Sequence, residues 1–216
     1  VSATTRRALA EKAFATTAAY DAAVAGWLTS ERSGLPSTLT VVAERSQVLR
    51  YGENPHQTGA RYRGVGTRSW WDDVVQHGGK ELSYLNVLDS EAAWSLVHRF
   101  DEPACVIVKH ANPCGVAVVE AGSIGEAYRK AHECDPVSAF GGIVAVNREV
   151  SDDMATSLAD VFTEVVVAPA FSTSALRILQ EKKNLRILGG PVPYGRRLDI
   201  RSIDGDRKST RLNSSH

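Results

Sequence analysis

Lys109 and His110 stand together at the end of a short apolar run, Ala104-Cys105-Val106-Ile107-Val108. Side chains of these two types can hold and move protons. The apolar run reads as a strand covered on both faces, and Ala111-Asn112-Pro113-Cys114-Gly115 after it is rich in turn formers. In open α/β sheets, ligands bind in the crevice outside the carboxyl ends of strands. Successive strand residues point to opposite faces, so both side chains serve one site only if the strand has ended by His110. An ammonium next to an imidazole disfavours a second positive charge, which leaves His110 able to accept a proton. Lys109 would then supply charge where an oxyanion develops. A strand-end lysine that snorkels to water beside a hydrogen-bonded histidine accounts for the same residue types equally well.

Two further segments carry donors or close backbone approach. Arg50-Tyr51-Gly52-Glu53-Asn54-Pro55-His56-Gln57 is polar and aperiodic. It can hold a phosphorylated ligand through Arg50 or be a solvated loop. Asp135-Pro136-Val137-Ser138-Ala139-Phe140-Gly141-Gly142 ends on paired glycines, which admit a ligand close to the backbone or make a tight turn. Zinc nucleobase deaminases use His-x-Glu followed by Pro-Cys-x-x-Cys. Here Asn112 stands at the Glu position and Ala117 at the second Cys, so three metal ligands cannot be assembled that way.

The elements that must position these residues follow from periodicity. Thr4 to about Leu28 reads as a helix with Leu9, Ala13, Tyr20, Val24, Trp27 and Leu28 on one face and Thr4 or Thr5 as cap. Ser30–Ser37, with Gly34 and Pro36, is a linker and domain boundary. Leu39–Ala43 reads as a short strand. After Val87 comes a helix presenting Leu88, Ala92, Leu96 and Phe100, capped by Asp89 or Ser90. Ser123 with Glu126 forms a capping box. Strands at 143–146, 164–167 and 185–188 alternate with helices opening at Ser151 and near Ser172. Residues from about 100 to 190 thus predict an α/β layer with a largely parallel sheet.

The 216 residues are 43% hydrophobic with zero formal charge, so nothing in the totals points to nucleic acid or an anionic membrane. No apolar run approaches the roughly 20 residues of a membrane helix, and the N-terminus lacks a signal-peptide pattern. Cys105, Cys114 and Cys134 are odd in number and irregularly spaced, which fits reduced thiols in a cytoplasm. The tail from Asp206 to His216 is polar and aperiodic, reads as adapter-derived sequence and is set aside.

Taken in register, Arg50–Gln57, Gly79-Lys80-Glu81-Leu82-Ser83-Tyr84-Leu85-Asn86, Val108–Gly115 and Asp135–Gly142 closely resemble the bifunctional AICAR transformylase/IMP cyclohydrolase family of purine biosynthesis. The resemblance covers nearly all of residues 1–205. It implies an α/β fold: a zinc-free, cytidine-deaminase-like transformylase subdomain at 41–205, preceded at 1–40 by C-terminal helices of a methylglyoxal-synthase-like cyclohydrolase domain. It implies formyl transfer from the co-substrate 10-formyltetrahydrofolate to AICAR, then closure to IMP, without a metal, in a cytoplasmic homodimer. By the resemblance His110 is the base and Lys109 the charge stabiliser and proton donor. Arg50 and Tyr51 bind AICAR, Gly141 and Glu164 make further nucleotide contacts, and Asn112 and His56 shape the site. The family's cyclohydrolase lysine and most folate contacts match nothing here, so the chain is expected to be an inactive fragment. A zinc deaminase relative and a non-catalytic nucleotide-binding module are the rival readings.

Overall fold

The computed structural model describes residues 1–30, 35–194, 198–203 and 206–211, with side chains described for 1–29 and 35–194. The chain divides into two units, 1–48 with 60–68, and 49–59 with 69–216.

In the first unit, α1 runs Ala3–Ser30. Its cap is Ser2, whose Oγ accepts from Thr5 N at 3.1 Å, so the expected Thr4 or Thr5 lies already inside the helix. The periodicity correctly gives a helix, yet Leu9, Tyr20, Trp27 and Leu28 are exposed along it. Strands β1 (Ala43–Leu49) and β2 (Gly59–Gly64) form a two-stranded sheet, with Ser46 Oγ donating to Arg61 O at 3.1 Å. The strand expected over Leu39–Ala43 therefore begins where that reading ends. Pairing with β2, rather than an apolar run, fixes its place. Of the expected linker, residues 31–34 lie outside the described residues.

The second unit is built from β3 (Val75–Gly78), α2 (Tyr84–Val97), β4 (Ala104–Lys109), β5 (Asn112–Val118), α3 (Ile124–Cys134), the single turn α4 (Pro136–Ala139), β6 (Ile143–Val146), α5 (Asp152–Ala159), β7 (Val165–Ala168), α6 (Thr173–Gln180) and β8 (Arg186–Gly189). Its six strands lie in the order β3-β8-β7-β6-β4-β5. Only β6–β7 and β7–β8 are parallel. The pairs β3–β8, β4–β5 and β4–β6 are antiparallel, so the sheet is mixed, not largely parallel. The sequence reading missed β3 and β5, the two edge strands, because neither is an apolar run. Beyond this sheet, β9 (Leu198–Ile203) and β10 (Asp206–Arg211) pair antiparallel, where the sequence reading placed no strand.

The central strands are covered on both faces, as their composition demands. Cys105, Ile107, Val144, Val146, Val166 and Ile187 meet Tyr128, Met154, Leu158 and Leu179 of α3, α5 and α6. The alternate residues Val106, Val108, Ile143, Ala145, Val165 and Val167 meet Trp94 and Val97 of α2, with Trp70 beside them. Serines cap these helices: Ser123, Ser151 and Ser172 accept from the amides of Glu126, Met154 and Ala175, each cap stabilising by about 1 kcal/mol. At α3 only half of the expected box forms, because Glu126 pairs with Lys130 at 2.8 Å.

Helix α2 starts earlier than expected. Ser83 is its cap, with Oγ accepting from Asn86 N while Asn86 Oδ1 accepts from Ser83 N. Leu88 is exposed, and the buried face is Asn86, Asp89, Ser90, Ala93, Trp94 and Val97. Trp94, fully buried, sets that face by its bulk. Asp89 is thus mid-helix and faces the sheet end; it caps nothing in α2.

Candidate functional site

Strand β4 ends at Lys109, which pairs with Asn112 across a two-residue connection. His110 (φ 55°) and Ala111 (φ 57°) fill that connection, the non-glycine residues with positive φ among those described. Asn112-Pro113-Cys114-Gly115 is therefore the start of β5 rather than the expected loop. A register shift between Ile107 and Val108 admits it. Gly115 serves packing instead of turning: a Cβ there would lie 2.0 Å from Ala131 O of α3. Because the strand stops at Lys109, the alternation of faces no longer separates Lys109 from His110, as a shared site requires.

Hydrogen bonds brace this turn from several sides. Asp89 Oδ2 accepts from His110 N at 3.1 Å and its Oδ1 from Ala111 N at 2.8 Å. Asn112 Nδ2 donates to His110 O at 2.8 Å. Lys109 Nζ donates to Phe140 O at 2.8 Å, which ties it to the residue before Gly141. Asp135, N-cap of the α4 turn, accepts from Ser138 N, and its hydrogen bonds from Ser138 hold the carboxyl below the usual carboxylate range. Gly141 takes φ 74° and donates from N to Phe162 O at 2.8 Å.

Sheet register then carries the site sideways. Val108, Ile143, Val165 and Arg186 are opposite one another in successive strands. Since β4 is antiparallel to β6, its carboxyl end lies beside the amino ends of β6, β7 and β8. The expected placement at strand carboxyl ends holds for β4 alone; Gly141, Glu164 and Arg186 arrive from amino ends. Glu164 N donates to Gly142 O at 3.1 Å, and Arg186 N to Glu164 O at 3.0 Å.

Arg50 and Tyr51 join at the far end of this row. Arg50 N donates to Leu82 O, Tyr84 N donates to Tyr51 O, and the Arg50 guanidinium lies 5.3 Å from the Tyr51 ring centroid. The Gly79–Asn86 segment makes the joint. Gly79, at φ 87°, leaves no room for a Cβ against Leu185 O, Ser83 caps α2, and Asn86 Nδ2 donates to Glu164 Oε2 at 2.7 Å. Arg186 lies beneath, 6% exposed. Its Nη1 is 3.8 Å from Glu164 Oε2, its contacts to Asn184 O and Glu81 O are long at 3.5 and 3.4 Å, and its Nε has no partner. Burial pushes this guanidinium below its ordinary value, Glu164 and Tyr51 push it back up, and Arg50 adds to the lowering. A buried cation so thinly satisfied is costly unless an anion is near.

The structure thus gathers Lys109, His110, Asn112 and Gly141 at one end of the row and Arg50, Tyr51 and Glu164 at the other, with α2 spanning both. His56 is exposed in the Arg50–Gln57 loop, which closes on itself through Gly52 N to Gln57 O. Sequence reasoning missed Asn86, Asp89 and Arg186. Their signal was present as polar residues at i and i+3 on a helix, and as a charge opening an apolar strand. Among the described residues, no group of three or more His, Cys, Asp or Glu could hold a metal ion, and no helix is long and apolar enough to cross a membrane.

The family described as AICARFT/IMPCHase bienzyme matches residues 1–208. The bifunctional purine biosynthesis protein PurH of Sorangium cellulosum (strain So ce56) is 51% identical over 201 residues, covering 87% of this chain. The chain spans 38% of that relative's length. Among solved structures, two forms of Acinetobacter baumannii RibD align at TM-score 0.35 with 20% and 19% identity, over 46% and 48% of this chain and 33% and 35% of theirs. With its sequence matched from the first residue to the 208th, the chain belongs to the AICARFT/IMPCHase bienzyme family.

Proposed function

We propose that this chain contributes the acid/base end of a formyl-transfer site in purine biosynthesis, acting on AICAR with 10-formyltetrahydrofolate as co-substrate. The amine of AICAR is conjugated with its imidazole and carboxamide, so it is a poor nucleophile. It needs a base as it attacks and positive charge for the tetrahedral oxyanion. His110 takes the amine proton as nitrogen bonds to the formyl carbon. Lys109 faces the oxyanion and protonates the folate nitrogen as its bond to that carbon breaks. The products are FAICAR and tetrahydrofolate, and ring closure to IMP follows in the cyclohydrolase part of the whole protein. Arg50, Tyr51, Gly141 and Glu164 hold the nucleotide, with Arg186 supplying buried positive charge beneath. Asn112 and His56 shape the site.

The observation that carries this reading is the Lys109–His110 pair held at the end of β4, beside the amino ends of β7 and β8 where Glu164 and Arg186 stand, in a chain of this family. The mixed sheet is read as the zinc-free, cytidine-deaminase-like subdomain, and the whole protein as a cytoplasmic homodimer. The test uses a protein carrying this segment at the full length of its relatives. His110→Ala is expected to lower kcat by roughly 10²–10⁴-fold with AICAR binding largely kept, whereas Arg50→Ala raises the KM for AICAR. Normal turnover by His110→Ala would show that the assigned base is wrong; a segment that binds AICAR but supports no turnover would favour the non-catalytic nucleotide-binding module.

A further inference from the structure

The two-residue connection between β4 and β5 has positive φ at both positions, the signature of a tight hairpin turn that ordinarily recruits Asn-Gly. This chain places His and Ala there, and each carries a Cβ that the left-handed region disfavours. Such a conformation persists only where its surroundings impose it. Asp89 imposes it. It comes from the buried face of α2, is 7% exposed, and uses both carboxylate oxygens on the two consecutive amides. Consecutive N–H groups of a turn converge on one side and favour an anion, and here that anion is a side chain fixed 21 residues earlier in the sequence. Asn112 closes the opposite side by donating to His110 O. Both braces act on the backbone of His110, so they set where its imidazole leaves the strand end.

We propose that Asp89 is a positioning residue for the His110 base. It acts by holding the His110–Ala111 turn left-handed and touches no reacting atom. The proposal rests on the formyl-transfer reading for its kinetic consequence, but its structural half stands on the turn alone.

The experiment compares Asp89→Ala, Asp89→Asn and the double variant Asp89→Ala/Ala111→Gly in a protein of the relatives' full length. Asp89→Ala is expected to lower kcat about 10–100-fold, the scale of a small misplacement of a catalytic group, with the KM for AICAR within about threefold. Ala111 is exposed, so glycine there makes the left-handed turn accessible without removing a contact. The double variant should recover most of the lost kcat. An unchanged kcat in Asp89→Ala, or a loss that Ala111→Gly leaves unrepaired in a protein with a native melting curve, overturns the proposal. If Asp89→Ala does not fold, Asp89→Asn decides, since it keeps the shape but can accept only one of the two bonds. It must lose kcat, and wild-type turnover overturns the proposal. Backbone amide resonances of His110 and Ala111 in the Asp89→Asn chain separate the two readings. A protein that transfers no formyl group sinks the function, whereas amides that keep their shifts and exchange protection sink the role of Asp89.

Discussion

Asn86 donates from Nδ2 to Oε2 of Glu164 at 2.7 Å, across 78 residues of sequence, and so ties the first turn of α2 to the amino end of β7. The bond orients a carboxylate that is otherwise half-exposed, 41% by side chain, with Arg186 Nη1 3.8 Å from the same oxygen. Hydrogen bonds to charged groups contribute about 1.5–3 kcal/mol. On the proposed function, Asn86→Ala in a protein of the relatives' full length is therefore expected to raise the KM for AICAR by about tenfold or more with a smaller change in kcat. Glu164→Gln should do the same. The two substitutions act on one contact, so the double variant should be scarcely worse than either alone; additive losses would show that Glu164 does not depend on Asn86.

A second prediction concerns the tryptophans. Glu91 Oε2 accepts from Trp70 Nε1 at 2.8 Å and from Trp71 Nε1 at 2.7 Å, while Ser95 Oγ donates to its Oε1. The rings of Trp70 and Trp71 lie 4.3 Å apart, with Trp94 at 5.4 Å from Trp70. Removing the acceptor strands an indole N–H in the core, at about 1–3 kcal/mol for each unsatisfied donor. Glu91→Ala should lose about 2–3 kcal/mol in urea unfolding and change the intrinsic fluorescence. Glu91→Gln, which keeps an acceptor, should lose less.

Stability should also fall in mild acid. His98 has its pKa lowered, chiefly by burial, with the Trp94 carbonyl opposing and Arg148 adding to the effect. Its ring packs edge-on to Trp94 at 4.2 Å, and Nδ1 donates to Trp94 O at 2.9 Å. The folded value lies below the unfolded one, near 6.5, so the unfolded chain binds the proton more readily. The contribution is complete above about pH 6.5 and is lost as pH falls through the folded value. Melting curves from pH 7.5 to 5 should show Tm dropping more for the wild type than for His98→Gln. Parallel curves for the two would remove His98 as the cause.

The three thiols should differ in reactivity. Cys134 is exposed, Cys114 half-buried and Cys105 wholly buried. Burial pushes the Cys105 thiol far up and the Cys114 thiol up as well, the latter with a backbone hydrogen bond and Lys109 opposing. The thiolate is the reacting form. Alkylation at pH 8 followed by mass spectrometry should mark Cys134 first, Cys114 more slowly and Cys105 only on unfolding.

The sequence was most legible where burial alone decides. Ile143–Val146 was read to the residue, and Ser123, Ser151 and Ser172 opened helices as their positions demanded. It was least legible where pairing overrides composition. Asn112-Pro113-Cys114-Gly115 looks like a turn, yet it is a strand because β4 needs an edge partner and α3 needs a glycine beneath Ala131. Helix α2 misled for a related reason. Of its apolar period, Ala92, Leu96 and Phe100 do pack against the core, but Leu88 is exposed, and the buried positions go to Trp94, Asn86 and Asp89 instead. The Lys109–His110 pair could be found from residue types, whereas the i, i+3 spacing of Asn86 and Asp89 marks two polar residues on one helix face without saying what Asp89 holds. The left-handed turn it holds contains no glycine, so nothing in the local sequence announces that turn.

Among the described residues strand β3 finds its only sheet neighbour in β8, and Gln180 Nε2 reaches His77 O across 103 residues. At about 5–20 residues per second, a ribosome takes roughly five to twenty seconds between synthesising one partner and the other. During that interval Trp70, Trp71 and α2 can already have gathered, while β3 has no strand to pair with. An idle edge is a template for pairing between nascent chains. Val75-Gln76-His77-Gly78 is short, half polar and ends on glycine, a composition that makes a poor template. The edge that pairs last during synthesis is thus one poorly suited to recruit the wrong partner.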